Sequence, residues 1–184
     1  MGKWFSGPYV KRLTDELLRH CTQTGMLKGQ LFDIEELNEK WTASAAQYMA
    51  DAVPEIAKYP MVAIAWAGFY GLGIAQLWDE DWDMIKAVDD VYLKMRQVRG
   101  FDEFDEYVLE AILRLKDNPT RMKALTEIMQ QCANICLNLI RKESLEPQTI
   151  EAFQMYAKTV ELMFKIGVSV QLCALGYKYE KVTN

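Results

Sequence analysis

A chain of 184 residues with 51% hydrophobic content is long enough for one sizeable core and short for two, so we expect a single domain over residues 1–184. A formal charge of -5 and an isoelectric point near 5.0 repel phosphate backbones. No Lys/Arg cluster interleaved with aromatics offsets that charge, which argues against nucleic-acid binding.

The opening residues, Met1-Gly2-Lys3-Trp4-Phe5-Ser6, match the short myristoylation pattern but read more plainly as an ordinary start, with Ser6 or Gly7 capping a helix and Pro8 in its first turn. They hold no uninterrupted apolar run of the secretory kind, so Cys21, Cys132, Cys136 and Cys173 read as reduced thiols in a cytoplasmic protein.

Val10, Leu13, Leu17 and Cys21 repeat on one face of a first helix, predicted from Pro8 to Thr24 and stopped by Gly25. After a glycine-containing loop, Asp33 and Glu36 stand at capping-box spacing before a second amphipathic stretch reaching Ala52. Pro54 and Pro60 then bend the chain.

Met61 to Trp78 is uncharged and apolar nearly all round. Ala63, Ala67, Gly71 and Ala75 recur every fourth residue, forming a ridge of minimal side chains that another helix can approach closely. The run reaches the lower length limit for a membrane span. Gln76 inside it, the acids after it and the amphipathic helices around it favour a central core helix instead.

Asp79, Glu80 and Asp81 suit the first turn of a further helix, predicted to continue through Ile85, Val88, Tyr92 and Met95 to Arg99 and to end at Gly100. Asp102 restarts the chain with Phe104, Val108, Ala111, Ile112 and Leu115 inward. Asn118-Pro119 opens the clearest amphipathic helix, with Leu125, Ile128, Met129, Cys132, Cys136 and Leu139 on its buried stripe up to Arg141 and Lys142. Pro147 begins the last helix, in which Phe153, Tyr156, Val160, Met163, Phe164, Gly167, Val168, Gln171, Ala174 and Leu175 face inward until Tyr179. No stretch alternates with period two, and no solenoid period appears. The expected fold is an all-α bundle of about six to seven helices around the central helix 61–78, with successive helices mostly antiparallel.

His20 is the sole histidine and stands one turn after Glu16, its expected partner. Without a second histidine, zinc and di-iron ligand sets lose their usual members, and Cys21 points about 100° away from it on a helix. Cys132 and Cys136 share a face at one-turn spacing, within a stripe that reads as core.

The acids form the more distinctive constellation. Glu80 with Asp83, and Glu103 with Glu106, each place two carboxylates on one helix face, a pattern able to hold magnesium and activate water against a pyrophosphate. Over these four residues the spacing resembles the carboxylate pairs of all-helical nucleotide pyrophosphohydrolases, with a different order of Glu and Asp. The same acids also serve as ordinary helix starts, and that reading needs no metal.

Among the aromatics, Trp66, Tyr70, Trp78 and Trp82 are candidates for lining a ligand pocket or anchoring an interface. Three functional expectations follow. The first is a soluble non-catalytic bundle that binds itself or another protein, through remnants of the small-residue ridge or the Trp78/Trp82 region. The second is a magnesium-dependent pyrophosphohydrolase-like enzyme using Glu80, Asp83, Glu103 and Glu106. The third is a small-ligand binder with an aromatic pocket beside the central helix.

Overall fold

The structure is a computed structural model, and it describes residues 7–178. The myristoylation-like start and the expected helix end at Tyr179 lie outside the described residues. Within them the chain forms seven α-helices and no strand: α1 (Pro8–Gln23), α2 (Glu35–Ala52), α3 (Pro60–Lys86), α4 (Val91–Arg99), α5 (Phe104–Tyr107), α6 (Pro119–Lys142) and α7 (Ile150–Ala174). A 3-10 turn at Val53–Glu55 follows α2, and a π-helical turn at Val108–Ile112 follows α5.

Prolines and short caps set most helix starts, as their chemistry requires. Pro8, Pro60 and Pro119 stand at the first helical position of α1, α3 and α6. The side chains of Asp90, Asn118 and Thr149 accept hydrogen bonds from free amides of α4, α6 and α7. The expected capping box at Asp33 and Glu36 does not form. Asp33 instead accepts from Asn38, Glu36 accepts from Trp78 Nε1 at 2.9 Å, and α2 begins at Glu35 with no side-chain cap.

Two helices, not one, occupy the centre. α3 is buried on every side from Ala63 to Ala75, and α7 is nearly so from Leu162 to Leu172. They run parallel: Tyr156 meets Ala63, Gly167 meets Gly68, Gln171 meets Gln76 and Tyr177 meets Asp79. A Cβ on Gly71 would overlap the Phe164 carbonyl oxygen and lie 2.7 Å from the Val168 amide nitrogen. A Cβ on Gly167 would overlap the Gly68 carbonyl and lie 3.0 Å from the Leu72 nitrogen. The backbones therefore touch, which only glycine permits. The small-residue ridge is thus taken up inside the bundle: Ala63, Ala67, Gly71 and Ala75 are all buried, leaving no exposed remnant for a partner.

By length and composition α3 could cross a membrane, yet 72% of its apolar window is buried inside the bundle. That is the behaviour of a core helix.

Two stretches depart from simple helical reading. α3 breaks at Asp81 (φ -161°, ψ 82°), whose Oδ1 accepts from the Met84 amide at 3.2 Å and so caps a last short segment. That segment stops at Lys86 rather than running on to Arg99, because Asp90 caps a fresh helix. At Val108–Ile112 the wide turn changes the phase: Leu109 turns inward, and Ala111, expected inside, is exposed. Phe153 and Ala174 were also expected inward and are exposed.

Candidate functional site

Each acid with a defined partner in the 79–83 run has a different structural task. Asp79 accepts from Tyr177 OH at 2.7 Å, while Asp81 caps the end of α3. Glu80 accepts from Gln76 Nε2 at 2.8 Å and pairs with Arg114, and these hold its carboxyl below the usual range. Glu103 sits at the start of α5 and Glu106 within its first turn, both exposed, as is Asp83. Among the described residues no group of three or more His, Cys, Asp and Glu converges as a metal cage would. Glu80, Asp83, Glu103 and Glu106 are accordingly not brought into one cluster.

The four candidate aromatics are engaged with the protein itself. Trp66 Nε1 donates to the Phe101 carbonyl at 2.6 Å. Tyr70 OH and Ser44 Oγ lie 2.9 Å apart at the centre of a ring cluster. In that cluster Trp41, Tyr48, Tyr70, Tyr92, Phe104 and Phe164 follow one another at centroid spacings of 5.1–5.6 Å. Burial raises the phenol pKa of Tyr48, Tyr70 and Tyr92, and every buried side-chain polar atom among the described residues has a partner. This is a packed core with its hydroxyls satisfied, not a pocket wall. Trp78 donates to Glu36 and packs on Tyr177 at 5.5 Å, and Lys40 Nζ lies 5.8 Å from the Trp82 ring centre. Lys40 also donates to the carbonyls of Lys86 and Val88, closing the carboxyl end of α3.

His20 Nε2 lies 2.7 Å from Gln131 Oε1, so its partner is on α6 rather than Glu16 on its own helix. Cys21 and Cys132 sit buried with their sulfurs 3.5 Å apart, Cys136 is buried beside them, and all four cysteines are free. Burial pushes the Cys136 thiol well up, which suits a structural hydrophobe.

The feature that sequence reasoning missed is a cavity of about 700 Å³ at the end of the bundle where α3 and α7 begin. Its walls come from four segments: Val53, Ile56 and Ala57 after α2; Pro60 and Ile64 of α3; Leu137, Ile140 and Arg141 of α6; and Ala152, Phe153, Met155 and Tyr156 of α7. The α6–α7 loop, with Ser144, Leu145, Pro147, Gln148 and Thr149, closes one side. Toward the floor, Tyr156 OH donates to the Ala63 carbonyl at 2.6 Å, and Tyr48 OH donates to the same oxygen at 2.7 Å.

Three observations set this region apart. The wall is mostly hydrocarbon, and Arg141 is its single charged residue. Five large hydrophobic residues are exposed at or beside the mouth: Val53, Ile56, Tyr59 (58%), Ile150 (72%) and Phe153 (49%). Of the three non-glycine residues with left-handed backbone among the described residues, two, Ser144 (φ 52°) and Gln148 (φ 64°), sit in the loop that closes the cavity, the third being Arg114 elsewhere. Such conformations cost on the order of 1 kcal/mol and persist where surrounding structure imposes them. The signals in sequence were faint. Phe153 was expected to face inward, and nothing local says that four segments leave a gap.

Compared with known protein families, curated proteins and solved structures, the chain matches none.

Proposed function

We propose that the protein is a binding bundle whose ligand is a largely apolar molecule held in the cavity between the starts of α3 and α7. The volume carries this reading: about 700 Å³ lies within the roughly 300–1,000 Å³ of small-molecule sites, which are apolar with a few placed polar groups. This is the ligand-binding expectation moved to new residues, since Trp66, Tyr70, Trp78 and Trp82 do not line the cavity. A cytoplasmic location belongs to the same proposal and rests on the acidic balance and four unpaired cysteines.

The neutral dye Nile red tests it. Wild-type protein should enhance its fluorescence saturably at a single site. Ala152→Trp, which places an indole in the cavity, should abolish the enhancement while retaining a cooperative melt. A dye response that Ala152→Trp leaves intact, or none at all in the wild type, overturns the proposal.

Self-association through the same face is the second reading, favoured by the exposed cluster of Val53, Ile56, Tyr59, Ile150 and Phe153. It would appear as a dimer mass in size-exclusion light scattering that Ile150→Lys returns to monomer.

A further inference from the structure

We infer that the occupant of the cavity is a soluble single-chain amphiphile with an anionic head, of the class of fatty carboxylates, and that Arg141 receives the head. This rests on the cavity being a ligand site and adds which chemistry it takes.

An apolar wall selects a hydrocarbon body but says nothing about an end group. The charge at its edge does. Arg141 is the one charged residue among those lining the cavity, and no carboxylate among the described residues lies within ion-pair distance of it. It is solvent-exposed, so it needs no internal partner and its guanidinium keeps its donors for a planar anion. Backbone dipoles leave that balance positive. Arg141 lies in the last turn of α6, whose carboxyl end carries roughly half a negative charge, while α7 starts on the same rim at Thr149 with roughly half a positive one. These two partial charges offset each other, and the full charge of the guanidinium remains. Glu55, Glu143, Glu146 and Glu151 stand next to lining residues in sequence, but none lines the cavity.

A cationic amphiphile would therefore meet repulsion at the rim. A neutral oil would leave the guanidinium unused. A phospholipid bilayer surface presents anions too, but a half-enclosed space of this volume suits one detached chain better than a lipid sheet.

The experiment is displacement of Nile red from the full-length protein by decanoate, dodecanoate and tetradecanoate below their micelle concentrations. Dodecyltrimethylammonium serves as the head-group contrast. Each step of two methylenes should tighten binding by on the order of tenfold until the cavity is full. Dodecanoate should bind at least tenfold better than dodecyltrimethylammonium. Arg141→Gln should bring that ratio close to one, and Arg141→Lys should restore most of it.

If Nile red binds but the two heads compete equally in the wild type, or Arg141→Gln leaves the ratio unchanged, the anionic head is wrong and the cavity reading stands. If Nile red does not bind at all, the cavity reading itself has failed. Sedimentation of the protein with phosphatidylglycerol vesicles, with no displacement by dodecanoate, would overturn the soluble single-chain occupant in favour of a membrane surface.

Discussion

α3 and α7 are one pair of parallel helices with two different ends of behaviour. At Gly68, Gly71 and Gly167 their backbones touch, and no side chain separates them. Nearer their starts, at Ile64 and Tyr156, the space beside the same helices opens into a cavity of about 700 Å³. The difference lies in side-chain size and in what surrounds each level. At the crossing the glycines allow closest approach, and α1, α2 and α6 cover the outside. At the start of α7, bulky Met155 and Tyr156 line the same space as Ile64, while the covering segments are a 3-10 turn and a loop with left-handed Ser144 and Gln148. A molecule that brings two backbones together in its middle gains rigidity there. It can then leave the adjoining end partly unfilled without losing the fold.

The largest effect is expected from breaking the crossing. Gly167→Ala adds one carbon, and helix propensity alone would make that favourable by about 1 kcal/mol. The new Cβ, however, overlaps the Gly68 carbonyl, which is backbone and cannot rotate away. Overpacking against fixed backbone belongs at the upper end of the typical range of roughly 1–3 kcal/mol, so after the propensity gain we expect a net loss of about 2 kcal/mol or more in urea or thermal unfolding. An unchanged melting temperature would mean that α3 and α7 do not touch there.

A smaller effect should come from the level between the two regions. Tyr156→Phe removes a hydroxyl that donates to the Ala63 carbonyl, and that oxygen keeps Tyr48 as a donor. No buried acceptor is orphaned, so the expected loss is about 1 kcal/mol, the ordinary net worth of one hydrogen bond. A loss above about 3 kcal/mol would show that the rim of the cavity is as tightly built as the crossing.

Much of the crossing was legible in sequence and almost none of the cavity was. Ala63, Ala67, Gly71 and Ala75 announced a close helix contact on α3, because four-residue spacing maps directly to one face. That α7 answers it was harder to read. Gly167 is a single glycine, and the burial of Leu162 to Leu172 on all sides depends on α1, α2 and α6, which are distant in sequence. The acids divided in the same way. Their affinity for helix starts is local chemistry, so a break at Asp81 was foreseeable, whereas the pairing of Glu80 with Arg114 depends on tertiary approach. Trp66 and Tyr70 do not line the cavity and their polar atoms have internal partners, which a sequence does not disclose. Ile64, Leu137 and Tyr156 would have read as core in any bundle. The gap that they border belongs to none of them.

The smallest effect, and the most direct contrast with Gly167→Ala, is expected from Ala152→Leu. Three added carbons would bring about 2.4 kcal/mol if fully buried, and roughly half of that in a cavity open on one side. Fixing the leucine side chain costs about 0.5–1 kcal/mol, and its helix propensity is lower than that of alanine by a few tenths. These terms nearly cancel, so stability should change by between about 0 and +0.5 kcal/mol. Nile red binding should weaken at the same time, because the added carbons occupy its space. Three carbons tolerated at one end of α7, where one carbon is rejected fifteen residues further on, would locate the unfilled volume without any ligand. A loss of 2 kcal/mol or more in Ala152→Leu would mean that the cavity closes in solution.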